Sequence, residues 1–444
     1  MQNGNNLVAV IGAGPAGLFA AKKLAQAGAD VVIFNRDIRP GGLAEYGIYH
    51  TKYRMKAGLR RQFLKILSDE KITYYGNVSI GVDGDLSLEE IKKLGFQAIV
   101  VAVGAQGTKW LGLPGEDLKG VFHAKDLVYH YNKLPPYSQR EFSIGKRVAL
   151  IGVGNVMIDI AHWLIHDKKV DEVVAVARRG PAEVKFTKKE MENVIRNLDL
   201  DALDDEIKRV TERMLVVDQS PEAARDFILS AVSKAKEPNS DTRFTLQFLS
   251  SPKQILGDEQ GNVCGLEVED TKLIAREFDT KVHRLGTTRV LDVDTVVFCI
   301  GDKVDESLGL PIQWDEFVKH PMPRFPMNEL SFEVYDPEVG KTIEGVFVAG
   351  WSRAASSGLV GYARKDGESG AEVALKYLEE ITPPKDSKAI LKSIDEKMGS
   401  ISHTVIDKTD VQRLIEIEGA QAEALGLEEF KFDTNQEMLE SLEE

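Results

Sequence analysis

The stretch LVAVIGAGPAGLFAAKKLAQAGADVVIFN, residues 7–35, decides the fold of this chain. Its apolar spacing predicts a buried strand, a glycine turn, an amphipathic helix and a second strand. In the turn, Gly12 allows a tight bend, Gly14 lets a ligand approach the backbone, and Gly17 lets helix and strand pack closely. The helix N-terminus then offers N–H groups to a pyrophosphate, so the stretch predicts a dinucleotide-binding βαβ unit.

The same pattern returns in residues 146–179, which predict a second dinucleotide-binding unit. The turn here is Gly152-Val153-Gly154-Asn155-Val156, with Met157 where a third glycine would fall. The strand that closes the unit ends at Arg178-Arg179. A ribose with a 2′-phosphate needs guanidinium donors there, whereas a plain ribose needs a carboxylate, so the pair favours NADP over NAD. The alternative is two ordinary surface arginines.

The first unit lacks the acidic residue that usually binds the adenosine ribose at the end of its second strand. Asn35 occupies that position, followed by Arg36 and Asp37. Because an amide can hydrogen-bond a hydroxyl, we expect Asn35 to take that role. Two dinucleotide units in one chain imply two cofactors that meet, one resident and one exchanging. A flavin and a nicotinamide are the natural pair.

The organisation of the chain follows from these units. We expect an α/β fold with two Rossmann-like dinucleotide-binding domains of the three-layer ββα type, in which an NADP domain is inserted into an FAD domain. Apolar strands within 96–105 and 294–302 mark the crossings between the domains. The predicted boundaries are 1–108 and 301–380 for the FAD domain, 109–300 for the NADP domain, and 381–444 for an acidic, solvated helical extension.

Composition excludes several other classes of protein. The net charge of −14 argues against nucleic-acid binding, which requires clustered Lys and Arg. No stretch approaches the ~20 apolar residues of a membrane span, and the first residues lack the basic region of a leader, so we expect a cytoplasmic protein. The two cysteines, Cys264 and Cys299, form no CxxC pair and cannot ligate an iron–sulfur cluster.

Further motifs resemble the adrenodoxin reductase group of NADPH:ferredoxin oxidoreductases. They are YGNV (75–78), LPGEDLKGVF (113–122), GVGNVMIDIA (152–161), RRGPAEVKFTKKE (178–190), SSPKQIL (250–256) and Gly350-Trp351. The resemblance extends from Leu7 to about Leu378, and the 178–190 string is its most specific part. The glutamate synthase small subunit, a related flavoprotein, shares the GGLxxYGI type of loop. That protein carries clusters on cysteines, which this chain lacks.

The resemblance implies positions for both cofactors. FAD is expected against Gly12, Gly14, Ala16, Gly17, Asn35, Gly42, Leu43, Ile80, Trp351, Gly358, Leu359 and Val360. NADPH is expected against Val153, Gly154, Asn155, Val156, Arg178, Arg179 and Glu190. The chain departs from the family pattern at residues 50–53 and 355–357, both on the flavin side. The basic residues that family members use to dock an acidic ferredoxin are not concentrated in the tail.

The resemblance also implies a reaction, in which hydride passes from NADPH to FAD and electrons then leave singly to an iron–sulfur protein such as a ferredoxin. Hydride transfer depends on stacking and orientation rather than on a general base. Asp159 and His50 are candidates for tuning or proton exchange, and local capping is an equal alternative for Asp159. The rival hypotheses are an electron-input subunit that docks through its acidic tail and an NADPH oxidase that reduces oxygen. The acceptor, the direction of electron flow and a homo-oligomeric state are left open.

Overall fold

The computed structural model describes residues 5–277, 279–355 and 360–443, and the chain divides into two compact units. The first unit comprises 1–108, 129–139 and 301–444, and the second comprises 109–128 and 140–300. In these described ranges, no helix is both long and apolar enough to cross a membrane.

The strands and helices are numbered in chain order. The strands are β1 (Leu7–Ile11), β2 (Asp30–Asn35), β3 (Ile72–Gly76), β4 (Ala98–Val101), β5 (Gly107–Thr108), β6 (Val121–His123), β7 (Arg147–Ile151), β8 (Glu172–Val176), β9 (Arg243–Gln247), β10 (Ser250–Gly257), β11 (Val263–Ala275), β12 (Thr280–Leu291), β13 (Thr295–Phe298), β14 (Asp302–Lys303), β15 (Ile312–Gln313), β16 (Glu316–Phe317), β17 (Glu333–Asp336) and β18 (Lys341–Val348). The helices are α1 (Pro15–Gln26), α2 (Leu43–Tyr46), α3 (Tyr53–Leu67), α4 (Leu88–Lys93), α5 (Ala124–Tyr131), α6 (Asn155–Trp163), α7 (Lys188–Met191), α8 (Leu200–Leu215), α9 (Pro221–Leu229), α10 (Val360–Glu379), α11 (Ser387–Gly399), α12 (Lys408–Leu425) and α13 (Asn435–Glu443).

The first unit is built on a six-stranded sheet in the order β17-β18-β4-β1-β2-β3. The strands from β18 to β3 are parallel, and β17 pairs antiparallel with β18 at the edge. β1 is buried along its whole length, as expected of a parallel strand that is covered on both faces. The turn after β1 and the loop after β2 therefore emerge at the same edge of the sheet, where ligands bind in such folds.

Different elements cover the two faces of this sheet. On one face, Leu18 and Phe19 of α1 and Phe63 of α3 belong to one buried apolar cluster with the strands. On the other face, Phe317 of β16 and Ile394 of α11 belong to a second cluster. The elements that hold the glycine turn are thus packed from both sides, which makes its backbone rigid.

The second unit has a five-stranded parallel sheet in the order β6-β13-β7-β8-β9. The antiparallel sheet β10-β11-β12 packs on one face, where Ile255 and Leu266 meet Ile151 and Val176. Side chains alternate along a strand, so the intervening residues of β7 face the helical side, where α6 packs against β7. The predicted α/β fold with dinucleotide-binding units of the ββα type is confirmed.

The C-terminal segment was predicted to be a solvated extension, and this prediction was wrong. Helices α11 to α13 belong to the first unit. Val411, Leu414 and Met438 lie in the cluster on the α1 face of the sheet, and Met398 lies in the cluster on the opposite face. Most acidic residues of an amphipathic helix occupy its outer side, so an acidic composition is compatible with an apolar inner face.

Residues 129–139 also group differently from the sequence-based boundaries, which place them in the inserted domain. Asn132 explains why they group with the first unit. Its Nδ2 donates to the carbonyl of Tyr46 at 3.0 Å, and its Oδ1 accepts from Nζ of Lys56 at 2.6 Å. These bonds join residues about eighty positions apart, a distance over which apolar periodicity carries no information.

Candidate dinucleotide-binding sites

The glycine turn of the first unit follows β1 and begins α1. A Cβ added to Gly12, where φ is +102°, would lie 2.5 Å from the carbonyl oxygen of Ala102, and one added to Gly17 would lie 1.9 Å from the carbonyl oxygen of Gly12. A Cβ on Gly14 would meet nothing within 4 Å. Gly14 is also the N-cap of α1 and supplies no side-chain cap. The first-turn N–H groups of α1 therefore open onto free space, as an anion site requires.

The Gly41-Gly42-Leu43 loop lies directly against this turn. The N–H of Gly41 donates to the carbonyl of Ala13 at 2.7 Å. Gly42 has a φ of +48°, and a Cβ added there would lie 3.1 Å from Cα of Gly14. Glycine is required because a side chain would strain the backbone and crowd the turn. The structure thus brings the predicted FAD residues Gly42 and Leu43 to the same edge as Gly14.

Ala16 contacts two other predicted elements of this site. A Cβ added to Gly350 would lie 2.6 Å from Cβ of Ala16, so the turn that carries half-buried Trp351 adjoins the start of α1. The half-buried Val360 begins α10, which packs along α1. The predicted FAD residues Gly358 and Leu359 lie outside the described residues.

Asn35, which the sequence suggested as a ribose ligand, makes several hydrogen bonds within the protein. Its side chain is buried, and its Oδ1 accepts the N–H of Ala13 at 2.9 Å. Its Nδ2 donates to the carbonyls of Asp37 at 2.7 Å and Arg39 at 3.0 Å. The amide therefore makes its hydrogen bonds within the protein, and these bonds join the glycine turn to the loop that follows β2. Both ends of the amide thus have partners within the protein, and the ribose-binding role of Asn35 stays a prediction.

A polar cavity of about 300 Å³ lies beside the carboxyl ends of β2 and β3. Its polar lining includes Arg36, Asp37, Asn77, Ser79, Asp85 and His403. Asp85 accepts from the backbone N–H of Ser79 at 2.8 Å and lies 2.8 Å from Nε2 of His403. Burial opposes ionisation of Asp85, but the bonds from Ser79 and His403 outweigh it and lower its pKa. Ile80, a predicted FAD residue, is half-buried next to Ser79.

Sequence reasoning missed most of this cavity. Asp37 carried a signal, since a carboxylate two residues beyond β2 is close to the usual ribose-binding position. Nothing in the sequence indicated that His403 lines this cavity, because His403 belongs to the C-terminal segment, more than three hundred residues from Asp85.

The glycine turn of the second unit repeats the geometry of the first. A Cβ added to Gly152, where φ is +128°, would lie 2.4 Å from the carbonyl oxygen of Cys299, whereas one on Gly154 would meet nothing within 4 Å. Gly154 is the N-cap of α6 and offers no side-chain cap. Val156 is exposed in the first turn of that helix, and Met157, which replaces the third glycine, is buried. The start of α6 is therefore a second open site for an anion.

The RRGPAEVKFTKKE string folds back onto this turn. The N–H of Lys185 donates to the carbonyl of Val153 at 2.9 Å, and the N–H of Thr187 donates to Oδ1 of Asn155 at 2.8 Å. Thr187 then caps α7 by accepting the N–H of Glu190 at 3.3 Å. The predicted NADP residues Val153, Asn155 and Glu190 are brought together, although the Asn155 oxygen is already used within the protein.

The two arginines at the end of β8 differ in their surroundings. Arg179 donates to Glu183 at 3.0 Å, to Asp279 at 3.1 Å and to Thr280 at 2.9 Å. The side chain of Arg178 is exposed, and no carboxylate in the described ranges pairs with it. Arg178 is thus the guanidinium open to a ligand, while Arg179 is held by the protein. Asp279, a hundred residues from Arg179, gave no signal in the sequence.

Asp159 and His50 lie in different units. Asp159 is half-buried in the middle of α6. His50 is half-buried and packs its ring 4.6 Å from that of Tyr49 and 5.6 Å from that of Tyr131, measured between centroids. Such an aromatic setting is compatible with a packing role for His50, and the proton-exchange roles of both residues stay predictions.

Comparison with protein families decides the class of this chain. Residues 6–232 match the family described as pyridine nucleotide-disulphide oxidoreductase, and this match covers more than half of the chain. The chain belongs to this family. As a member, it is an oxidoreductase, and the predicted pyridine-nucleotide chemistry is confirmed.

Individual relatives confirm the resemblance predicted from the motifs. The chain is 28% identical over 393 residues to the mitochondrial NADPH:adrenodoxin oxidoreductase of Arabidopsis thaliana, covering 80% of this chain and 78% of that protein. It is 28% identical over 414 residues to the NADPH-ferredoxin reductase FprA of Mycobacterium tuberculosis, covering 84% of each. The solved structure of that FprA with NADPH superposes with a TM-score of 0.79 at 23% identity, covering 99% of this chain and 100% of the other, which shows a shared fold.

Proposed function

We propose that this protein is an FAD-dependent NADPH:ferredoxin oxidoreductase, which takes hydride from NADPH and delivers single electrons to an iron–sulfur protein. One observation carries the proposal. The chain holds two glycine turns that each leave open space in front of a helix N-terminus, at Gly14 and at Gly154. The second turn lies in the unit in which the exposed Arg178 follows β8 by two residues. The names of the relatives, NADPH:adrenodoxin oxidoreductase and NADPH-ferredoxin reductase, point to the same activity.

The first unit fits FAD. The pyrophosphate would lie at the open N-terminus of α1, where Gly14 leaves room. Since the Asn35 amide bonds the protein at both ends, Asp37 in the cavity wall would take the ribose hydroxyls, while Arg36 holds its Oδ1 at 3.0 Å. Leu43 and Trp351, on segments adjoining the turn, would hold the cofactor from two sides. When bound, the flavin supplies the step from a two-electron donor to one-electron acceptors.

The second unit fits NADPH. Its pyrophosphate would lie at the start of α6, beside Gly154. Arg178 would bind the 2′-phosphate directly, because its guanidinium is exposed. Arg179 would add positive charge from a fixed position, since Glu183 and Asp279 hold it. A carboxylate at the end of β8 would have favoured an unphosphorylated ribose instead.

The electrons must leave to an acceptor outside the chain. Cys264 is exposed, Cys299 is buried, and both are free. Burial raises the pKa of the Cys299 thiol, which makes it unreactive. Among the described residues, no group of His, Cys, Asp and Glu could hold a metal ion. An iron–sulfur protein as the acceptor is therefore our proposal, and the cytoplasmic location stays a prediction from the sequence.

Anaerobic stopped-flow mixing with NADPH or NADH tests the donor half of this proposal. We expect a yellow protein whose flavin band near ~450 nm bleaches rapidly with NADPH and much more slowly with NADH. Ferredoxin added to the reduced enzyme should then be reduced in single-electron steps. A protein that retains no flavin, or one that reduces dyes but no low-potential ferredoxin, would overturn the proposal. Rapid peroxide formation in air would instead favour the oxidase alternative.

A further inference from the structure

The segment from residue 46 to residue 68 is unusual in this acidic chain. It contains Lys52, Arg54, Lys56, Arg60, Arg61 and Lys65, and it has no acidic residue. The chain as a whole has a formal net charge of −14. Most of this segment forms α3, so a concentrated positive charge is carried by one helix. Such a local reversal of charge creates a field that attracts acidic molecules.

The basic residues of α3 divide between its two faces. Lys56 is buried, and half-buried Arg60 pairs with Glu45 at 2.5 Å and with Glu429 at 2.6 Å, so the charge of the inner face is largely compensated. Arg54, Arg61 and Lys65 are exposed. Their spacing of seven and then four residues places them in one stripe along the outer face of the helix.

This outer stripe carries uncompensated charge. In the described part of the chain, no carboxylate forms an ion pair with Arg54, Arg61 or Lys65, and each side chain is open to solvent. The exposed Met55 lies beside Arg54 and adds an apolar contact. A Cβ added to Gly58 would lie 3.9 Å from Nη2 of Arg61, so this glycine lies next to the guanidinium. Cations around an exposed methionine form a surface suited to a protein partner.

The position of α3 connects this stripe to the proposed FAD site. On the inner face, a Cβ added to Gly41 would lie 3.5 Å from the ring of Phe63, and Arg60 bonds Glu45 just beyond Leu43. The helix therefore covers the outside of the Gly41-Gly42-Leu43 loop. A partner bound to the outer face would be separated from the proposed FAD-binding loop by the thickness of one helix, about 10 Å. Docking on this face would bring the partner next to the loop that is proposed to hold FAD.

From charge, exposure and position together, we propose that the outer face of α3, formed by Arg54, Met55, Gly58, Arg61 and Lys65, docks an acidic iron–sulfur protein. This inference rests on the proposed function and names its partner surface. Charge complementarity raises the association rate and fixes orientation, and it weakens as salt screens the charges.

Charge reversal on α3 tests the proposal with a matched control. The test protein carries Arg54→Glu, Arg61→Glu and Lys65→Glu. The control carries Lys385→Glu, Lys388→Glu and Lys392→Glu, which changes the net charge equally at exposed positions of the same unit. The probe is a purified acidic [2Fe–2S] ferredoxin, with binding measured by calorimetry at low salt and reduction measured with NADPH as the donor. Ferricyanide reduction serves as a measure of the remaining activity.

We expect the α3 variant to bind the ferredoxin at least tenfold more weakly and to raise its KM by a similar factor, with ferricyanide reduction unchanged. The control should bind like the unmodified protein. A variant with glutamine at the three α3 positions should give an intermediate loss. Equal binding by the α3 variant and the control, or no ferredoxin binding by the unmodified protein, would overturn the docking surface. Binding that depends on α3 without ferredoxin reduction would leave the surface standing and contradict the proposed function.

Discussion

Asn35 shows how a single residue can have a structural role at a position that often serves a ligand. Its amide joins the N–H of Ala13 to the carbonyls of Asp37 and Arg39. A carboxylate at this position could accept the Ala13 N–H but could not donate to the two carbonyls. The hydrogen bonds to the loop after β2 thus explain why an amide occupies this position. In our proposal, Asp37 binds the ribose hydroxyls instead.

We predict that Asn35→Asp destabilises the protein, although it restores the residue type common at this position. The change removes two donors and places a negative charge beside two carbonyl oxygens, so the free energy of unfolding should fall by about 2–4 kcal/mol. Denaturant unfolding and FAD retention would measure this effect, with Asn239→Asp on the exposed surface as a control. Unchanged stability with tighter FAD binding would mean that residue 35 contacts the ribose after all.

Arg178 and Arg179 are adjacent in sequence but should respond differently to mutation. Arg178→Ala should raise the KM for NADPH by about 10- to 100-fold and leave the KM for NADH nearly unchanged, because a charge-assisted contact to the 2′-phosphate is lost. Arg179→Ala should also lower stability, since Glu183 and Asp279 lose their partner. Steady-state kinetics with both nucleotides would show this. Lys208→Ala, an exposed cation of the same unit, is the control, and equal KM changes for NADPH and NADH would contradict the assignment.

At the scale of the element, α3 combines the proposed docking face with a buried charged face. Lys56 is almost fully buried on that inner face, 2.6 Å from Oδ1 of Asn132 and 3.9 Å from Glu429. Burial, together with the nearby charge of Lys431, lowers the pKa of Lys56 to about 7, although Glu429 and Glu45 act in the opposite direction. Above about pH 7 the folded protein therefore holds Lys56 mainly as the neutral amine.

This pKa gives a stability prediction with a definite sign. Between about pH 7 and pH 10 the unfolded chain binds a proton at Lys56 that the folded chain does not, so the contribution of this group to stability rises with pH. Lys56→Met should flatten this rise of the free energy of unfolding between pH 7 and pH 10. At pH 10 it should lower the free energy of unfolding by about 1–3 kcal/mol, because Oδ1 of Asn132 loses its donor. Denaturant unfolding at several pH values would measure both effects. The exposed Lys65→Met on the same helix should change neither, and an unaltered pH profile for Lys56→Met would contradict the prediction.

At the scale of the whole molecule, the C-terminal segment completes the first unit. Lys431 is buried against Glu45 at 2.5 Å, and buried Glu418 pairs with Arg39. Desolvation opposes ionisation of Glu45, but Lys431 and Arg60 outweigh it and hold its pKa well below the usual range. These ion pairs attach the last helices behind the Gly41-Gly42-Leu43 loop. The tail therefore supports the proposed FAD site from inside the protein.

The division into two units predicts where each cofactor protects the backbone from hydrogen exchange. NADP⁺ should slow exchange around residues 152–157 and 178–190 in the second unit, because ligand binding stabilises the state that it binds. Removal of FAD should speed exchange around residues 12–17 and 41–46 in the first unit. Exchange measured by mass spectrometry on the full chain, with NAD⁺ as the control nucleotide, would show both patterns. Protection of residues 12–17 by NADP⁺ in the FAD-loaded protein would contradict the assignment of the two turns.

The sequence by itself determined the two dinucleotide turns, because their chemistry is local. β1 and α1 lie within residues 7–35 in the predicted order. Gly12, Gly14 and Gly17 have the surroundings that their spacing indicates. Gly152 and Gly154 could be assigned for the same reason. A tight turn and a helix N-terminus depend on a few consecutive residues, so a single stretch of sequence is enough to specify them.

Only the tertiary structure decided which polar groups are available to bind a ligand. The Asn35 amide donates to the carbonyls of Asp37 and Arg39, and the fold of the loop after β2 sets the positions of these carbonyls. The restraint on Arg179 comes from Asp279, and the cavity wall includes His403. The C-terminal segment is part of the hydrophobic core, because Val411 and Met438 pack in an apolar cluster with strands that are distant in sequence. Hydrogen bonds and burial between residues far apart in sequence arise from packing, which local periodicity does not encode.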